Sequence, residues 1–82
     1  MAAPGRLTLV TREGCGLCEE LAHELSGLGV SFISLDVDHD PELTRLYSEQ
    51  VPVLLNGREE LVRAPFSELS LRQALRVAGL LP

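Results

Sequence analysis

The spacing of apolar positions changes several times along the chain, and each change marks an element. The run RLTLVTR, residues 6–12, is short, apolar and threonine-bearing, with glycines at 5 and 14 around it. That pattern predicts a strand. Three apolar residues within four positions fit a strand covered on both faces. After Gly14 the period lengthens. Leu17, Leu21, Leu25 and Leu28 recur at steps of four, four and three, which is one face of a helix. Glu19, Glu20, His23 and Glu24 fill the rest, and Gly27 and Gly29 end it. Residues 30–37, VSFISLDV, alternate and read as a second strand. Asp40 as N-cap, Pro41 at the first helical position and Glu42 in the first turn then start a second helix. Leu43, Leu46 and Tyr47 supply its buried side, and it ends near Glu49. Asn56-Gly57 lies between two apolar runs, and a favoured hairpin turn wants positive φ at both central residues. Strands are therefore expected from about Val53 to Leu55 and from about Glu59 to Val62. Ser67 or Ser70 caps a last helix with Leu71, Ala74, Leu75 and Ala78 on one face, and Gly79 stops it.

The resulting order is β-α-β-α-β-β-α. A helix joins the first two strands, so they should be parallel with a right-handed crossover. The last two strands form a hairpin, and a single mixed sheet with helices on both faces follows. A length of 82 residues suits one domain, 1–82, with a small core. Its 45% hydrophobic content is normal for a globular fold and too high for disorder.

Charge narrows the function classes. The formal net charge is -5, and all seven basic residues are arginine. With no basic stripe and few aromatics, no nucleic-acid partner is expected. No stretch approaches the roughly 20 apolar residues of a membrane span, and Leu7–Val10 is far shorter than a signal-peptide core. A cytoplasmic location is expected. In that reducing compartment paired cysteines tend to be catalytic or metal-binding.

Both cysteines fall in GCGLCEEL, residues 14–21. Cys15 and Cys18 are a redox pair, half of a metal site, or two inert helical thiols. At a strand-to-helix junction, unpaired backbone N–H groups of the first turn point toward Cys15 and favour its thiolate, the form that attacks disulfides. Cys18, one turn later, can resolve the mixed disulfide. Arg12 adds attraction while Glu13, Glu19 and Glu20 oppose it, so the activation is moderate. No metal site is expected: His23 and His39 are the only other soft ligands, and two further cysteines at matching spacing are missing. A dimer would bring four thiolates, and with them a zinc or iron–sulfur alternative. Asp36, Asp38 and Asp40 alternate like the start of a calcium loop, but the required glycine and glutamate do not follow. They read as strand-end solvation and helix capping, His23 and His39 as exposed residues, and Tyr47 as core.

Taken together, these motifs resemble a glutaredoxin of the thioredoxin-like fold. The features are the strand before the motif, Cys15-Gly16-Leu17-Cys18 at the helix start, Val51-Pro52 before the third strand, and the Asn56-Gly57 hairpin. The wider set T-x-x-x-C-x-L-C-E and V-P-V-L is similar to a small bacterial glutaredoxin-like family. The β-α-β-α-β-β-α order predicts a four-stranded mixed sheet in the order 2-1-3-4 flanked by three helices, the thioredoxin-like arrangement. The helices starting near Cys15 and Ser67 should share one face, and the helix starting near Pro41 should take the other. The resemblance implies a thiol–disulfide oxidoreductase with Cys15 as nucleophile and Cys18 as resolver. Arg12, Gly16, Leu17, Val51 and Pro52 would be on the substrate side. By resemblance Val51-Pro52 is cis and turns the Val51 backbone toward an extended thiol substrate, while Arg12 meets a carboxylate of glutathione. The implied partners are a disulfide-bearing protein or glutathione as co-substrate, with no tightly bound cofactor and a monomeric protein. Two departures stand out. The middle pair Gly16-Leu17 lacks the proline and tyrosine of glutaredoxins. The segment VRAPFSELS lacks their Gly-Gly and aspartate after the fourth strand. The alternative is a non-catalytic binding module of the same fold, whose cysteines sense oxidation or hold a shared metal or iron–sulfur cluster.

Overall fold

A computed structural model describes residues 7–82; the expectations for Met1–Arg6 lie outside the described residues. Among the described residues the elements are β1 (Leu7–Thr11), α1 (Gly16–Gly27), β2 (Ile33–Asp36), α2 (Pro41–Tyr47), β3 (Val53–Asn56), β4 (Glu59–Arg63) and α3 (Glu68–Val77), with a 3-10 turn, Val37–His39, after β2. The sheet runs β2-β1-β3-β4. β1 pairs with β2 in parallel and with β3 antiparallel, and β3 and β4 form the hairpin. This is the expected mixed sheet in the expected order.

Strand alternation separates the core into two layers. Leu7 and Leu9 of β1, Leu54 of β3 and Val62 of β4 face Leu21 and Leu25 of α1 and Leu71 and Leu75 of α3. On the opposite face, Val10, Val53 and Leu55 meet Val37 and Leu43 of α2. Helices α1 and α3 therefore share one side and α2 takes the other.

Each helix start is fixed by a side chain. Asp40 Oδ1 accepts from the N–H groups of Glu42 (2.9 Å) and Leu43 (3.2 Å), a two-bond N-cap with Pro41 at the first helical position. Ser67 and Ser70 exchange bonds of 3.0 Å, each hydroxyl accepting from the other's N–H. That reciprocal box makes Ser67, rather than Ser70, the cap of α3.

Four details depart from the sequence expectation. β2 begins at Ile33, three residues late, and Val37 is buried from the 3-10 turn instead of from the strand. Leu17 is 43% exposed. The buried stripe of α1 runs Cys18-Leu21-Leu25 with Leu28 partly covered, because a cysteine packs as a small apolar group and completes the stripe where periodicity alone puts Leu17. Leu46 is 51% exposed. A helix of only seven residues turns Leu43 and Tyr47, one turn apart, toward the sheet and leaves Leu46 outside. The hairpin turn is shifted by one residue. Asn56 pairs with Glu59 inside the ladder, leaving Gly57-Arg58 as the two turn residues, with φ 64° at Gly57 and no positive φ at Asn56 or Arg58. Glycine at the first central position is the demand of a type II′ turn, which this geometry satisfies without straining asparagine. The register also slips between Leu54 and Leu55, where Leu61 is an extra residue on β4.

Candidate active site

The two parallel strands end at the same edge of the sheet, where Thr11 of β1 lies beside Asp36 of β2. Open α/β sheets present ligand sites at this carboxyl edge. From there the chain makes a four-residue turn, Arg12 to Cys15. The Cys15 N–H donates to the Arg12 carbonyl at 3.2 Å, and Gly14 at the third position has φ 80°. Positive φ at that position is what a type II turn requires, so Gly14 lets β1 fold directly into α1.

The turn delivers Cys15 as the N-cap of α1. Its Sγ accepts a hydrogen bond from the Cys18 N–H at 3.1 Å, and its carbonyl starts the helix by accepting from the Glu19 N–H. A backbone donor of the first turn is thus aimed at this sulfur, where it stabilises developing negative charge. Cys15 and Cys18 are joined as a disulfide with a Cα–Cα separation of 5.2 Å, inside the range such a bridge spans without backbone movement. The two sulfurs differ in access. Cys15 is half-buried, whereas Cys18 is 3% exposed beneath the helix. Gly16 and Leu17 lie between them at the surface.

On the neighbouring strand, Val10 pairs with Val53, so Val51 and Pro52 lead into β3 at the end of the sheet where β1 finishes. The Val51–Pro52 bond is cis, as is Ala64–Pro65. Pro52 is buried, and its carbonyl accepts from the Ala64 N–H at 3.0 Å. Among the described residues, no backbone hydrogen bond outside the ladders uses the N–H or C=O of Val51.

Arg12 reaches the carboxylate of Asp38 with two parallel bonds, Nε to Oδ2 at 2.9 Å and Nη2 to Oδ1 at 3.0 Å. These bonds raise the Arg12 pKa and hold the Asp38 carboxyl below the usual carboxylate range. Asp36 and Glu49 add further attraction for the guanidinium. Asp40 serves as the cap that the sequence suggests and Asp36 caps the 3-10 turn, but Asp38 has a role the sequence reading missed. The signal was available: once the first two strands are parallel, a residue just beyond the second falls next to one just beyond the first.

The sequence matches a family model described as Glutaredoxin-like domain (DUF836) over residues 6–76. The chain belongs to this glutaredoxin-like family. No curated protein matches the glutaredoxin-like chain. A structural-genomics protein from X. campestris is 35% identical, with a TM-score of 0.75 over 87% of this chain and 96% of its own. A protein from Nitrosomonas europaea is 30% identical, with a TM-score of 0.71 over 89% of this chain and 93% of its own. A glutaredoxin from Archaeoglobus fulgidus shares the fold at 18% identity, with a TM-score of 0.66 over 88% and 87% of the two chains. The glutaredoxin-like chain therefore combines a thioredoxin-like fold with a Cys15–Cys18 pair at the start of α1. Among the described residues no helix is long and apolar enough to cross a membrane.

Proposed function

We propose that the protein is a thiol–disulfide oxidoreductase acting through Cys15 and Cys18. The observation that carries this reading is the asymmetry of the pair. Cys15 caps α1 and accepts the Cys18 N–H, whereas Cys18 is buried one turn in. A thiolate at Cys15 is stabilised where a substrate can approach it. The Cys15 thiolate attacks one sulfur of the substrate disulfide, forms a mixed disulfide, and releases the other sulfur as a thiolate. Cys18 then gives up its proton and attacks Cys15 Sγ. The Cys15–Cys18 bond forms, the mixed disulfide breaks, and the second substrate sulfur leaves as a thiolate that takes up a proton. Two electrons pass from the dithiol to the substrate. A thiol reductant, either glutathione or a dithiol reductase, returns the pair to its reduced form.

The substrate side consists of Gly16 and Leu17 between the cysteines and of Val51 and Pro52 across from them. The Val51 N–H and C=O are available to an extended peptide, which would pair with them as an added strand does. Arg12, at the position where the resemblance puts a carboxylate of glutathione, completes this side, with its guanidinium engaged by Asp38. The substrates are protein or glutathione mixed disulfides, and the protein works as a cytoplasmic monomer without a tightly bound cofactor. The direct test follows disulfide reduction by the wild type and by Cys15→Ser and Cys18→Ser. Activity lost at Cys15 and a mixed disulfide trapped by Cys18→Ser support the reading. Full activity in Cys15→Ser contradicts it.

A further inference from the structure

The charges around the dithiol suit a particular substrate. Strand register puts Asp36 beside Thr11, with Arg12 one residue further on, at the end of β1 that leads into the Cys15 turn, and puts Arg63, paired with Val53, toward the same end of the sheet on β4, two strands away. Both arginines are engaged by acceptors of the chain itself. Arg12 forks onto Asp38. Arg63 forks onto Glu60 at 2.7 and 2.6 Å and also donates to Gln50 Oε1. Asp36 and Glu49 lie close enough to attract Arg12 as well, and Glu13, Glu19 and Glu20 are exposed on either side of Cys15. The Arg12–Asp38 pair is itself exposed, with side-chain accessibilities of 35% and 50%, so it adds little to stability. Its consequence lies in recognition. A bidentate fork is the way a guanidinium would hold an incoming carboxylate, and Asp38 already fills it.

Glutathione carries two carboxylates against one ammonium. To use Arg12 it must displace Asp38 and do so within the field of the neighbouring carboxylates. A polypeptide disulfide flanked by basic residues meets no such competition and is drawn to the same acidic rim. We infer that Asp38 is a specificity-determining residue: by occupying the Arg12 fork it disfavours glutathione and other anionic disulfides and directs the dithiol to disulfides carried on cationic polypeptide segments. This rests on the oxidoreductase reading above and uses the same two-electron exchange.

The test compares rate constants of the reduced protein with four probes. They are a peptide disulfide flanked by arginines, the same peptide flanked by glutamates, glutathione disulfide, and the uncharged hydroxyethyl disulfide as the common reference. At low ionic strength the arginine peptide should react on the order of tenfold faster than the glutamate peptide, and added salt should bring the ratio toward one. In Asp38→Asn the rate with glutathione disulfide, divided by that with hydroxyethyl disulfide, should rise several-fold. Adding Arg12→Ala to that variant should cancel the rise, since the freed fork is then gone. Equal rates for the two peptides at low salt, or an Asp38→Asn ratio that does not move, overturn the inference while leaving disulfide exchange intact. Failure to reduce even hydroxyethyl disulfide overturns both.

Discussion

Leu17 and Leu21 are one helical turn apart and fall on the same face by sequence spacing, yet the fold treats them oppositely. Leu21 is fully buried between α1 and the sheet, whereas Leu17 is 43% exposed beside the cysteines. Leu21→Ala removes a complete leucine side chain from a packed layer shared with Leu7, Leu9, Leu25, Leu54, Leu71 and Leu75. Such truncations cost about 2.7–5 kcal/mol, depending on how far the cavity collapses. At roughly 0.05–0.15 kcal/mol per residue, an 82-residue domain has about 4–12 kcal/mol in total. A loss of about 3 kcal/mol is therefore a large share of it. For a domain of this size it corresponds to a fall in Tm of about 12–24 °C. Leu17→Ala, a surface substitution, should stay within about 0.5 kcal/mol. Urea and thermal unfolding of both variants, followed by circular dichroism in the oxidised state, separate the two. Equal destabilisation would restore the simple four-four-three stripe and refute the placement of Cys18 in the core face. A Leu21→Ala cost below about 1 kcal/mol would mean that α1 is not anchored through this residue.

Asp40→Ala removes the acceptor of two N–H groups at the start of α2 and should cost about 0.5–2 kcal/mol in chemical denaturation. Ser67→Ala breaks the reciprocal box of α3 and should cost about 1 kcal/mol by the same assay. The Arg12 fork holds the folded Asp38 pKa below its ordinary value of 3.8. Its contribution to stability is therefore complete above that ordinary value and is lost only as pH falls through the lower folded value. Carboxyl-resonance titration by NMR should show Asp38 protonating below 3.8, and Arg12→Ala should move it upward. Mild alkylation of the reduced protein should modify Cys15 before Cys18, as read by peptide mass spectrometry, because Cys18 is 3% exposed.

The architecture was legible because local patterns and global packing agree. Caps at Asp40 and Ser67, the strand alternation and the helix between the first two strands all specify the same sheet. The misplacements share a physical origin. Periodicity alone points Leu17 and Leu46 inward, because it marks apolar residues without specifying which neighbour completes the stripe. Cys18 took the place given to Leu17, and a seven-residue α2 has room for only two inward positions. The hairpin shifted because Gly57 alone supplies the positive φ, and a type II′ turn needs only one such residue. At the site, the cysteines and the Val51-Pro52 segment could be read as motifs. The Arg12–Asp38 fork joins residues 26 apart in sequence and belongs to no local motif, so it is legible only by placing the ends of the two parallel strands side by side.

The central claim is that Cys15 exchanges disulfides and Cys18 completes the transfer. Intact-mass spectrometry of reduced Cys18→Ser mixed with a peptide disulfide tests it most directly. The account predicts a single covalent peptide adduct, mapped to Cys15, that persists because no second thiol can displace it. The wild type, in the same mixture, should pass through that adduct to the Cys15–Cys18 disulfide and release reduced peptide. No adduct at Cys15, with wild-type protein remaining fully reduced in the presence of the peptide disulfide, would contradict the account.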